Sequence, residues 1–229
     1  MTAIRILSTL AVMGAMKDLT ARYEAETGVS IQADFAPTVA LLERLRAGDV
    51  ADIAILTAQG IDDMIAEGTM RPASRTDIAL SFVGIAVKAG APKPDIATVA
   101  ALRTALLAAR SVAYSKIGAS GIFFAGLLQR MGIADRVNTL VVPSGFTAER
   151  LVSGDADLAV QQVSELLVVP GIEVAGKLPA EIGTVATFSA GLMTASVQPD
   201  TAAALLRFLA SPGIADVLRR SGLEPAPVC

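Results

Sequence analysis

The sequence predicts an α/β protein of two lobes, each a mainly parallel sheet flanked by helices, on three observations. Short apolar runs alternate with amphipathic stretches along most of the 229 residues. Two long extended segments, at 78–87 and 185–196, bracket a self-contained block of the same alternation. Hydrophobic residues make up 53% and charged residues 18%, which supplies a substantial core and excludes a disordered chain. With aromatics at 4% and no Trp, that core must be aliphatic.

The elements follow in order. A β-type run at 4–7 leads into a helix over 11–27, with Met13, Met16, Leu19 and Tyr23 on one face and Gly28 as its stop. A strand over 29–35 precedes Thr38, placed as an N-cap before the helix of Leu41, Leu42 and Leu45, which Gly48 ends. The run Asp52-Ile-Ala-Ile-Leu56 has the unbroken apolar character of a buried parallel strand, and a helix with Ile61, Met64 and Ile65 follows it. After the long segment at 78–87 comes a Pro-rich break at 91–94. Alternation then resumes: helix 99–109, strand 111–115, helix 121–131, strand 139–142, helix 147–152 and strand 157–161. The extended segment at 185–196 and helices at 201–209 and 214–220 complete the chain. Two crossovers of this kind predict a discontinuous lobe of residues 1–82 plus 188–229, and a second lobe of 83–187.

Composition excludes several function classes. There is no His, which removes Ser-His and Cys-His nucleophile pairs, His metal sites and the commonest general base. The single cysteine is Cys229, so no disulfide framework or Cys-rich zinc site is expected, and no metal or cofactor is called for. A net charge of −3 argues against a nucleic-acid surface. The uncharged stretch at 182–199 is long enough to span a bilayer but carries Thr184, Thr187, Ser189, Thr194, Ser196 and Gln198, so it reads as buried strand and no stable membrane insertion is expected. At the N-terminus, Lys17 and Asp18 follow Arg5 and its apolar run without a cleavage signature, so this stretch is not expected to act as a signal peptide. The expected location is periplasmic if a leader was removed and cytoplasmic if Met1 is the native start.

In open parallel sheets ligands bind beyond the carboxyl ends of the strands, where helix N-termini present free N–H groups. Small polar residues stand at such junctions here: Ser8-Thr9-Leu10-Ala11, Pro37-Thr38-Val39, Ser115-Lys116-Ile117-Gly118-Ala119-Ser120-Gly121 and Pro143-Ser144-Gly145. Together they predict a receptor for a small anion in a cleft between the lobes, with Lys116 as the only cation inside these segments. Gln161 and Gln162 end an apolar strand, and alternation predicts that one faces the cleft and the other solvent or the hinge. Each residue also has a plainer reading: Thr38 as a cap, Ser120-Gly121 as a turn, Lys116 as a solvated lysine and Glu149 as a helix-surface acid.

The segments Ile6-Leu-Ser-Thr-Leu-Ala-Val12, Gly14-Ala-Met16, Phe35-Ala-Pro-Thr38, Arg46-Ala-Gly-Asp-Val-Ala-Asp52, Ala119-Ser-Gly-Ile122 and Phe208-Leu-Ala-Ser-Pro212 carry a resemblance. Over nearly its full length the chain is similar to the type II periplasmic substrate-binding proteins, most of all to their molybdate-binding branch, and to relatives that resemble aconitate isomerase. The resemblance implies a type II periplasmic-binding-protein-like fold that holds an oxyanion with hydroxyls and main-chain amides. Carried over, the ligand positions are Ala11 with Val12, Thr38, Ser120, Gly145 and Gln162. Ala11 stands where the molybdate binders have a serine and Gln162 where they have a tyrosine, which favours a larger organic anion. The implied function is small-anion binding by a monomeric solute-binding protein of an ABC transporter, with a permease as partner if the protein is exported. The alternative is a cofactor-independent isomerase of an unsaturated carboxylic acid, for which Lys116 and Glu165 are the candidate bases. A cytoplasmic sensing module is a third reading, disfavoured because no DNA-binding or signalling domain is expected within these 229 residues.

Overall fold

A computed structural model describes residues 3–227, so Met1 and Cys229 lie outside the described residues. The chain divides into two compact units, one running up to Ser81 and resuming at Ala186, the other spanning Phe82–Val185.

In the first unit, β1 (Ile4–Thr9) lies between β2 (Ile31–Ala36) and β3 (Ile53–Thr57), all parallel. β9 (Val185–Leu192) pairs antiparallel with β3 and neighbours the first half of β4 (Thr76–Lys88), on which the two-residue β10 (Glu224–Pro225) pairs antiparallel. The side-chain alternation of a strand sorts these residues onto two faces. Ile4, Ile6, Ile53 and Ile55 pack under α1 (Met13–Thr27), α8 (Pro199–Leu209) and α9 (Ala215–Arg220) through Met16, Leu19, Leu205 and Leu218. Leu7, Ala54 and Leu56 face α2 (Thr38–Arg46) and α3 (Ala58–Ala66) through Leu41, Leu45, Ile61 and Met64. Gly28 ends α1 at φ 70°, a left-handed conformation that favours glycine.

The second unit repeats the plan. β5 (Val112–Ser115) lies between β6 (Thr139–Val142) and β7 (Leu158–Gln162), all parallel, and the second half of β4 pairs antiparallel with β7 and with β8 (Ile172–Lys177). One face packs Val112, Leu158 and Val160 against α4 (Val99–Ala108) and α5 (Ala119–Arg130) through Leu102, Leu106, Phe124 and Leu127. The other packs Ala113 and Ala159 against Leu151 of α6 (Glu149–Ser153) and Leu166 of α7 (Val163–Leu166). Both units are therefore parallel sheets with antiparallel additions at one side. Among the described residues no single helix is long and apolar enough to cross a membrane.

Candidate functional site

Each unit gathers its small polar residues at the carboxyl ends of its parallel strands. In the first unit, β1 ends at Thr9 and turns through a short 3-10 segment, Leu10–Val12, into α1. Ser8 is fully buried and its hydroxyl donates to the Thr9 carbonyl at 3.2 Å, so this hydroxyl is used internally. Thr9 is only 4% exposed and makes no cap bond. Leu10 is half-buried, while Ala11 and Val12 are buried.

Thr38 departs from its expected place. Pro37 occupies the N-cap position with φ −57° and ψ 144°, and Thr38 is the first helical residue of α2, without a cap hydrogen bond. Proline's fixed φ suits the entry to a helix, and it shifts the start by one residue. The first bond back to the cap is Leu41 N–H to Pro37 O, at 3.0 Å, so the amides of residues 38–40 have no acceptor within the helix. A genuine threonine cap in this unit is Thr57 at the β3–α3 junction, whose Oγ1 accepts from Gly60 N–H at 3.2 Å. Sequence reasoning missed this junction. A Cβ built on Gly60 would lie 3.5 Å from Thr38 Cγ2, so Thr38 and the Thr57 turn share one corner.

In the second unit the loop after β5 is tightly wound. Ser115 Oγ accepts from Gly118 N–H at 3.0 Å, Lys116 N–H donates to Val142 O at 2.8 Å, and the amides of Gly121 and Ile122 both reach Gly118 O at 3.0 Å. The amides of Ala119 and Ser120, the first residues of α5, are left without an intrahelical acceptor. Gly121 is dictated by packing, since a Cβ there would lie 1.8 Å from the Ser115 carbonyl oxygen. Ser120 is 2% exposed and no hydrogen bond engages its hydroxyl. No fully covered side-chain oxygen among the described residues lacks a partner, so the Thr9 and Ser120 hydroxyls must each reach an opening. Lys116 is exposed and enters no ion pair among the described residues.

The next junction turns at Gly145, φ 83°. Both glutamines are buried, Gln161 at 2% and Gln162 at 3% exposed, so of the places expected for the pair solvent is excluded. The cause is that β7 is covered on both sides, by β4 and β5, and is followed at once by α7, which Gln162 opens. Gln161 Oε1 accepts from Thr147 N–H at 2.8 Å and from Thr147 Oγ1 at 3.0 Å, while its Nε2 donates to Gly145 O at 3.4 Å. Glu165 is 8% exposed. Burial pushes its carboxyl up from 4.5 to about 7, opposed by hydrogen bonds from the Gln162 backbone and the Gln161 side chain. Sequence reasoning placed Thr147 only as the first residue of a helix over 147–152, whereas α6 begins at Glu149 and Thr147 precedes it, bonded to Gln161. Among the described residues no cluster of acidic side chains could hold a metal ion.

The chain is 33% identical over 234 residues to a Pseudomonas sp. protein named aconitate isomerase, covering 99% of this chain and 89% of that one. The Azotobacter vinelandii periplasmic molybdate-binding protein superposes with a TM-score of 0.82 at 16% identity, covering 98% of this chain and all of that one. A sulfate-binding protein from Mycobacterium tuberculosis H37Rv superposes with a TM-score of 0.77 at 13% identity, covering 99% and 88% respectively. These two likenesses establish the type II periplasmic-binding fold. The family model described as bacterial extracellular solute-binding protein matches residues 4–224, and the chain belongs to that family.

Proposed function

We propose that the protein binds a small organic polycarboxylate with hydroxyls and main-chain amides at the strand ends. The observation that carries this reading is the set of unengaged donors at the strand ends: Thr38 and the α2 amides in the first unit, Ser120 and the α5 amides in the second. Free N–H groups at a helix start, reinforced by the helix dipole, suit an anion without a full counter-charge. The exposed Lys116 adds one cation near the α5 start, and Ile117 and Ile122, 37% and 58% exposed, add apolar surface that an organic acid can use. The relative named aconitate isomerase supports a carboxylate over an inorganic oxyanion. As a transport receptor the protein would hand its ligand to an ABC permease.

The test is titration of trans-aconitate into wild type, Thr38→Ala and Ser120→Ala. Loss of one hydrogen bond to a charged group is worth about 1.5–3 kcal/mol, so each variant should bind about ten- to a hundredfold more weakly. Unchanged affinity in both would count against the reading.

A second reading, favoured by the same relative, is cofactor-independent isomerisation of an unsaturated carboxylic acid. It needs a base beside the bound acid. Lys116 is the accessible candidate, since Glu165 is buried and its carboxyl is already hydrogen-bonded to Gln161 and Gln162. Bound trans-aconitate would then exchange a carbon-bound hydrogen in D₂O, and Lys116→Met would slow that exchange about 10²- to 10⁴-fold. Binding without exchange or isomer formation over hours would leave only the first reading.

A further inference from the structure

The starts of α2 and α3 meet in one corner of the first unit, beside a hydroxyl that neither helix uses. Thr9, the last residue of β1, is 4% exposed and extended, at φ −62° and ψ 149°. Strand alternation puts its side chain on the face of Leu7, which packs with Leu41 of α2 and Ile61 of α3. Ala36, its parallel partner on β2, packs on the same face. The Thr9 side chain is therefore aimed between the two helices, at the end where both begin. Its hydroxyl enters no hydrogen bond among the described residues, unlike that of Ser8, which donates to the Thr9 carbonyl.

The backbone around this hydroxyl offers donors. Thr38, Val39 and Ala40 begin α2, and Ala58 and Gln59 begin α3, with amides that no carbonyl of their own helix accepts. The next amide of α3, from Gly60, is taken by Thr57 Oγ1. The two starts adjoin, because a Cβ on Gly60 would lie 3.3 Å from Thr57 Oγ1 and 3.5 Å from Thr38 Cγ2. Acids on the same elements are engaged elsewhere: Asp34 pairs with Arg44 at 2.6 Å, and Asp63 accepts from the Gln59 side chain at 2.9 Å. Two positive helix ends thus converge beside a buried hydroxyl that still has its donor to give. A buried hydroxyl without a partner destabilises the folded protein, and a ligand oxygen removes that penalty. We propose that Thr9 and the first amides of α2 and α3 form a carboxylate subsite, in which Thr9 Oγ1 donates to one carboxylate oxygen. This rests on the reading that the strand ends hold an organic anion, and it brings Thr9 and the α3 start into that site.

The test is titration of trans-aconitate into wild type, Thr9→Val and Thr9→Ser, with urea unfolding of each unliganded protein. Valine keeps the branched shape that suits extended backbone and removes only the hydroxyl. Thr9→Val should bind about ten- to a hundredfold more weakly, the loss of one hydrogen bond to a charged group. Thr9→Ser, which keeps the hydroxyl, should restore most of that affinity. Unliganded Thr9→Val should be no less stable than wild type, because no internal hydrogen bond is lost. A destabilised Thr9→Val, or a Thr9→Ser that fails to restore binding, would make Thr9 a packing residue and overturn the inference. Molybdate binding that depends on Thr9, with trans-aconitate binding that does not, would overturn the carboxylate assignment. If Thr38→Ala and Ser120→Ala weaken trans-aconitate binding and Thr9→Val does not, this inference is wrong and the binding reading stands. If trans-aconitate, citrate and molybdate all fail to bind wild type, both fall together.

Discussion

Thr38 and Ser120 are hydroxyl residues with no structural task of their own. Neither caps its helix, so replacing either by alanine should leave the melting temperature almost unchanged while ligand affinity falls, which separates them from Thr57 and its cap bond. Glu165 behaves in the opposite way. In the unfolded chain its carboxyl ionises at an ordinary 4.5, in the folded chain at about 7, so the native state holds the extra proton between those values. Wild-type stability therefore falls as pH rises from about 4.5 to about 7 and levels off above, where burial opposes an ionised carboxylate. Glu165→Gln lacks this term. Urea unfolding of the two proteins should show the variant gaining on wild type across that window by up to about 3 kcal/mol, at ~1.4 kcal/mol per pH unit. A constant difference from pH 5 to pH 8 would contradict it.

At the scale of elements, the β5–α5 junction shows how closely a strand and helix are brought together to present the Ala119 and Ser120 amides. The Gly121 Cα sits so near Ser115 O that no side chain fits. Gly121→Ala should lower stability by about 1–3 kcal/mol or more, measured by chemical denaturation, because backbone and not a flexible side chain must move. Gly126→Ala, a helical control whose Cβ would meet only the end of the Arg130 side chain at 3.2 Å, should cost much less. The elements themselves were largely legible. Alternation and Gly or Pro punctuation mark β1, α1, β3, β6 and α8 to within a few residues. β8 was missed because Ile172–Lys177 is half-buried and pairs only with the distant β4, a long-range contact that leaves no local period. β10 was missed because two residues carry no period at all. For the candidate site, strand-end chemistry was legible as clusters of Ser, Thr and Gly. The role of Gln161 was not, since its partner Thr147 lies 14 positions away and is joined to it only by the packing of β7 against the turn. The Thr38 cap failed for a local reason, the proline before it.

At the scale of the molecule, each unit has its own aliphatic cores on both faces of its sheet, and the donors stand at the strand ends, outside those cores. Such a scaffold needs no ligand to fold, so a ligand that binds only the native state adds stability by mass action. That property makes the central claim directly measurable. Thermal unfolding should be followed with trans-aconitate, cis-aconitate, citrate, molybdate and sulfate at matched ionic strength. The account predicts that at least one of the carboxylates raises the melting temperature in a saturable way, that molybdate and sulfate raise it less, and that Ser120→Ala reduces the carboxylate effect. A shift with molybdate alone, or equal shifts with every anion that Ser120→Ala leaves intact, would contradict it.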